Sequence, residues 1–296
     1  MEEPIRIASG SNELFGMLHT PDTAPARATI LVVNSRVEYR VGPHRFYVHA
    51  ARRWTDQGFC VLRLDHPGNG DSPGDEDYSH IDSFPVEPVV DAVDFLRAKT
   101  GDLDVVLAGL CMGARNALYA AARSRHVSHL LAFGMPFSDA TPDIGVGAQA
   151  ESKTVGTVVA RNAMSGYFKR MTNPGAWRRF LTGKSDYGVI KRVLPAALGI
   201  GRNQIFNEPV FRSLEDLLSR QGRILFLFGS NDVFLPDFQD QYALVKRRLP
   251  GGAVGCTVEF IPRANHTFSR VEWQESAIAS SVAWLEEQFP LSRAVS

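Results

Sequence analysis

Cysteine is scarce in this chain of 296 residues: Cys60, Cys111 and Cys256 are all there are. None forms a C-x-x-C pair, so the sequence supports neither a thiolate zinc site nor a dithiol redox motif, and an odd number does not suggest a disulfide framework. An excess of charge is also lacking, with 32 Lys and Arg against 32 Asp and Glu. That balance argues against a whole-molecule nucleic-acid footprint. No apolar run approaches the roughly 20 residues a membrane-spanning helix needs. The start, Met1-Glu2-Glu3-Pro4, is acidic with no apolar stretch behind it, unlike a secretory leader. The expectation is cytoplasmic residence, with no nucleic-acid or membrane partner, no metal and no cofactor.

What is present is the composition of a folded globular protein, 44% hydrophobic and 22% charged. Short apolar runs alternate with longer amphipathic stretches. Residues 14–20, 28–34, 59–65, 104–110, 128–135, 223–230 and 256–262 read as strands. Near-continuous apolar runs among them imply strands buried on both faces, hence a mostly parallel sheet. Helical patterns cover 46–57, 86–99, 112–123, 237–248 and 271–288. The alternation predicts a doubly wound α/β core. One stretch, 138–221, has no strong strand signal and only short helical patterns, such as 158–169 and 177–181. The expected organisation is therefore a core of 1–137 and 222–296 with a helical lid inserted at 138–221.

The chemistry concentrates in DVVLAGLCMGARNALYA, residues 104–120. It reads as strand, sharp turn, helix. Gly109-Leu110-Cys111-Met112-Gly113 has the spacing of the G-x-S-x-G nucleophile elbow, with cysteine in place of serine. The glycines allow the strained turn, and the helix N-terminus behind the thiol favours a thiolate. A buried cysteine between small residues is often merely a small hydrophobe, so its partners decide the matter. GSNDVFLP places Asp232 at the end of the 223–230 strand, and IPRANHTFSR places His266 in the loop after the last strand. The order Cys, Asp, His matches the nucleophile, acid, base order of such sites. His266 would take the proton of Cys111, and Asp232 would hold the imidazole in the productive tautomer. Asp139, Asp237 or Asp240 are alternatives for the carboxylate. The N–H of Met112 and that of Arg36, in NSRVEYRVGPHR after the 28–34 strand, are the expected oxyanion-hole donors. In LDHPGNGDS, residues 64–72, the glycines suit a tight turn, and Asp65, His66 and Asp71 read as structural.

These motifs together resemble the α/β-hydrolase superfamily over nearly the whole chain. GLCMGARNAL is similar to its cysteine-elbow branch, which includes exosortase-associated hydrolases and stand-alone thioesterase-like acyltransferases of natural-product pathways. VGPHRFYVHAARRW, LRLDHPGNGDSPG and ANHTF are similar to the former group. The resemblance implies an α/β-hydrolase fold with a Cys111, Asp232 and His266 triad, and leaves the acyl group unspecified. An acyl-cysteine is itself a thioester, so exchange with another thiol is nearly balanced in free energy, which tilts the expectation toward acyl transfer or thioester cleavage. Between Glu151 and Arg202 ten basic residues face only two acidic ones, Glu151 and Asp186. That excess would suit a small acyl substrate carried on CoA or on a phosphopantetheine carrier protein. An ester, lactone or amide hydrolase is the second reading, and a silent ligand-binding scaffold the third.

Overall fold

The computed structural model describes residues 1–22, 25–35, 38–74, 86–138, 207–249 and 251–291. Within them the chain runs β1 (Glu2–Ser9), β2 (Asn12–His19), β3 (Thr29–Val32), α1 (Phe46–Asp56), β4 (Cys60–Leu64), α2 (Glu87–Thr100), β5 (Val105–Leu110), α3 (Met112–Arg123), β6 (Val127–Phe133), α4 (Glu208–Ser219), β7 (Arg223–Gly229), α5 (Leu235–Arg248), β8 (Cys256–Ile261) and α6 (Val271–Gln288). The eight strands form one sheet in the order β1-β2-β4-β3-β5-β6-β7-β8. The β1–β2 and β2–β4 pairings are antiparallel; every other pairing is parallel. This is the mostly parallel α/β core that the alternating pattern predicts, in the α/β-hydrolase fold that the resemblance implies.

The β1 strand was not expected. It carries Glu2, Glu3 and Arg6 between its apolar residues, so it lacks the continuous apolar run of the inner strands. It lies at the sheet edge, where Pro4 is tolerated because only one side of the strand is paired. The predicted 28–34 strand is shorter, Thr29–Val32. Its C-terminal end, Val33 to Ser35, belongs to the functional loop.

Side-chain alternation along the strands builds two cores. From β3, β5 and β7, Leu31, Leu107 and Phe226 enter one core, where α2, α3, α4 and α5 pack. Their neighbours Ile30, Val106 and Leu225 enter the other, under α1 and α6. A buried hydrogen bond from Trp54 Nε1 to Ser281 Oγ at 2.9 Å joins the two helices of that second layer. The α4 helix falls inside the stretch expected as a lid. Its N-cap is Asn207, whose side chain accepts from Val210 N–H, and Val210, Leu214 and Leu217 bury in the first core. Residues 139–206 of the expected lid, with the 158–169 and 177–181 patterns, Asp139 and all ten basic residues, lie outside the described residues, as does Arg36.

Two features place the site. Strand order reverses between β3 and β5, so the chain leaves these neighbours on opposite faces and opens a crevice at their C-terminal ends. The loop after β4 then braces the loop after β3. Asp65, fully buried, accepts from Arg40 N–H (2.6 Å), from the Arg40 guanidinium and from Asp71 N–H (3.1 Å). A side chain at Gly70 would fall onto the Asp65 carboxylate. Asp65 is thus taken up by this brace, the structural part that the sequence suggests. Asp65→Ala removes a fully buried acceptor, leaves the Arg40 and Asp71 N–H groups without it and leaves the half-buried Arg40 guanidinium only Asp71, and should destabilise the fold by about 2 kcal/mol, measured by chemical denaturation. A loss below about 1 kcal/mol, the scale of an exposed ion pair, would contradict this bracing role.

Candidate active site

Cys111 stands between β5 and α3 with φ 57 and ψ −126. Few non-glycine residues adopt such a backbone, and it survives only where the surroundings over-determine it. Here they do. Cys111 N–H donates to Phe133 O (2.8 Å), and Leu110 N–H donates to the buried hydroxyl of Tyr47 (2.9 Å). A side chain at Gly109 would strike the Gly113 and Ala114 backbone, and one at Gly113 would meet Val33 O at 2.5 Å. The two glycines of the motif therefore serve close backbone approach, with the elbow pressed against the loop after β3. Cys111 is half-buried.

The partners come from the next loops along the sheet. His266 Nδ1 lies 3.0 Å from both carboxylate oxygens of Asp232. Asp232 is fully buried at its side chain and also accepts from Phe234 N–H (2.8 Å). The two loops are laced together: Asn231 N–H donates to Ala264 O (2.9 Å), and Arg263 N–H to Ser230 Oγ (2.7 Å). Of the alternative carboxylates, Asp237 is taken up by Ser138 N–H (3.0 Å) and Asp240 is exposed.

The remaining imidazole nitrogen, Nε2, is buried and closes no hydrogen bond of good geometry. Cys111 is nevertheless near enough to act on the ring. Burial opposes the charged imidazolium, but the hydrogen bond to Asp232 and the contact and negative charge of Cys111 outweigh it, raising the His266 pKa to about 10. We read the Cys111 contact as proximity without ideal alignment, since such bonds are often long before substrate binds. Met112 opens α3, so its N–H is among those a helix leaves without an internal partner.

The residue behind the acid–base pair escaped sequence reasoning. Gly134, just past β6 with φ +55, backs the acid–base pair. A side chain there would come within 2.9 Å of Asp232 Oδ2 and 3.0 Å of His266 Nδ1. A lone glycine at a strand end was its only signal. Metal-binding clusters of His, Cys, Asp and Glu are absent among the described residues, and no described helix is long and apolar enough to cross a membrane.

A family model described as the alpha/beta hydrolase fold matches residues 29–163. Solved structures of similar shape include an esterase of Pyrococcus furiosus, at 14% identity and TM-score 0.60, covering 97% of this chain and 91% of that one. A dienelactone hydrolase of Anabaena variabilis gives 14% identity and TM-score 0.59, covering 97% of each chain. The Est1E protein of Butyrivibrio proteoclasticus, solved with ferulic acid, gives 13% identity and TM-score 0.60, covering 96% of this chain and 98% of that one. No curated protein matches the sequence. At these identities the likeness establishes the α/β-hydrolase fold, which the sheet order and the elbow define independently.

The raised pKa of His266 has a checkable consequence. Its proton-linked stabilisation is fully present below the unfolded imidazole value of about 6.5 and is lost as pH rises through about 10. Unfolding free energy should therefore fall across that window. In NMR titration the His266 ring should have a midpoint near 10 in the wild type and a lower one in Cys111→Ala and Gly134→Ala. Identical midpoints in all three proteins would refute the coupling.

Proposed function

We propose that this protein is a cysteine-dependent acyltransferase or thioesterase that works through an acyl-Cys111 intermediate. The observation that carries the reading is a cysteine on the nucleophile elbow with the His266–Asp232 pair set beside it. His266 takes the Cys111 proton at Nε2, and Asp232 stabilises the imidazolium through Nδ1. The thiolate adds to the substrate carbonyl, whose oxygen gains negative charge. Met112 N–H is suited to receive that charge, with Arg36 N–H as the proposed second donor. As the tetrahedral adduct collapses, the bond to the leaving group breaks and His266 returns its proton to that group. An acyl thioester remains on Cys111.

Acylation also resets the base. Once Cys111 is esterified its negative charge is gone, and with it two of the influences that raise the His266 pKa. The imidazole can then stay neutral and accept a proton from the second nucleophile, which attacks the acyl group and displaces the Cys111 thiolate. A thiol acceptor yields a bond of about the same energy as the one broken, so transfer between thiols runs in either direction. The basic excess between residues 151 and 202 supports a substrate presented on CoA or on a phosphopantetheine carrier protein, and the reading includes a cytoplasmic location.

Plain hydrolysis of an ester or lactone by the same three residues is the second reading. The esterase and dienelactone hydrolase names of the similar structures favour it. Partitioning separates the two. Adding thiol or amine acceptors should divert product from the free acid and speed turnover in the wild type. Cys111→Ser, which makes an ordinary ester, should lose transfer by at least about tenfold more than it loses acylation. If product goes to water at the same rate with and without every acceptor, the hydrolase reading replaces the transferase.

A further inference from the structure

The loop after β3 holds a side chain that the triad leaves unused. The backbone of Glu38 is fixed: its N–H donates to Ser35 O (3.1 Å), and its carbonyl accepts from the Asn69 side chain. Two residues on, Arg40 is bound to the buried Asp65. The Glu38 carboxyl turns inward. Its Oε2 is buried and has no hydrogen-bond partner among the described residues. The Ser35 side chain hydrogen-bonds the carboxyl, and the charge of His266 acts on it. Tyr47, whose hydroxyl accepts from the residue before the nucleophile, feels the charges of both Glu38 and Cys111. The carboxyl therefore lies within electrostatic reach of His266 and of Tyr47, the residue that holds the elbow. A second acceptor on the same loop, Asn34 Oδ1, is also buried and without a partner among the described residues, in a residue with no solvent exposure.

A buried acceptor without a donor is unfavourable, and two on one loop beside a nucleophile suit a ligand that supplies the donor. Burial raises the Glu38 pKa, against the pull of His266 and Ser35, so the carboxyl gains from a further hydrogen-bond donor. An ammonium group would also meet the imidazolium of His266. Accepting the reading of Cys111 as nucleophile, we propose that Glu38 is a specificity-determining residue. It hydrogen-bonds an uncharged donor, a hydroxyl or amide N–H, borne by the substrate close to the carbonyl that Cys111 attacks.

Ketones that replace the thioester sulfur with methylene occupy such a site without being cleaved, so they test this apart from turnover. Heptan-4-one lacks a donor. Its 2-hydroxy and 3-hydroxy derivatives carry one on the acyl side, and N-(4-oxoheptyl)acetamide carries one on the leaving-group side. The readout is protection of Cys111 from iodoacetamide, followed by intact mass. At least one donor-bearing ketone should protect wild type at a concentration about tenfold or more below heptan-4-one, the scale of one matched buried hydrogen bond. Glu38→Met, similar in length but apolar, should reduce that preference to within about twofold, whereas Glu38→Gln, which keeps an acceptor, should retain at least about threefold. Alkylation of the unprotected thiol should stay within about twofold in both variants. No preference in the wild type, a preference that survives Glu38→Met, or alkylation that falls in parallel would each overturn the proposal. The last result would show Glu38 acting through the thiol. A preference found in a protein that turns over no thioester or ester would sustain the role of Glu38 and refute the reaction.

Discussion

Everything in this site depends on one strained residue. With φ 57 at Cys111, the chain ends β5 and starts α3 within a single peptide, which lifts the thiol above the sheet. Such a conformation costs on the order of 1–3 kcal/mol and would relax if its neighbours allowed. Gly109 lets the strand approach the helix it feeds, and Gly113 lets the helix approach the loop after β3. Tyr47, buried in α1, holds the Leu110 N–H, and Phe133 on β6 holds that of Cys111. Elements from both sides of the sheet thus converge on a single backbone conformation.

The second constraint is electrostatic. A buried carboxylate, a mostly buried imidazole and a half-buried thiol share a small space. In a poorly solvated region none of them can change charge without the others responding. Asp232 is held by the imidazole and by Phe234 N–H, so it stays an acceptor aimed at Nδ1, which fixes the tautomer. Together with Asp232, Cys111 raises the His266 pKa, so a change at the thiol is felt at the imidazole. Gly134 is required because only an absent side chain leaves Asp232 and His266 their room.

The parallel centre of the fold was legible because its strands are buried on both faces and must be apolar throughout. The elbow and the order of Asp232 and His266 were legible because their chemistry demands particular residue types at strand ends. The rest was hidden for physical reasons. The edge strand β1 is half solvated, so its apolar content is thin and its charges mask the period. The α4 helix bears its cap and its buried residues Val210, Leu214 and Leu217 at helical spacing, yet it sits at the end of an irregular stretch and was read with it. Gly134 and Glu38 matter through what lies beside them in space, from segments about 100 or more residues distant in some cases, such as Asp232 and His266. A lone glycine after a strand and a glutamate among arginines carry no sequence period at all. The sequence favoured Asp232 but kept Asp237 and Asp240, which follow the same strand, as alternatives; the loops in place set Asp232 against His266.

The central claim is that Cys111 forms the covalent intermediate. Intact-protein mass spectrometry after brief incubation with a panel of short acyl thioesters, followed by mapping of the modified peptide, tests it most directly. The account predicts a single acyl increment on the peptide containing Cys111, sensitive to hydroxylamine and absent in Cys111→Ala, with Cys60 and Cys256 unmodified. An acyl increment elsewhere, or turnover that persists undiminished in Cys111→Ala, would contradict it.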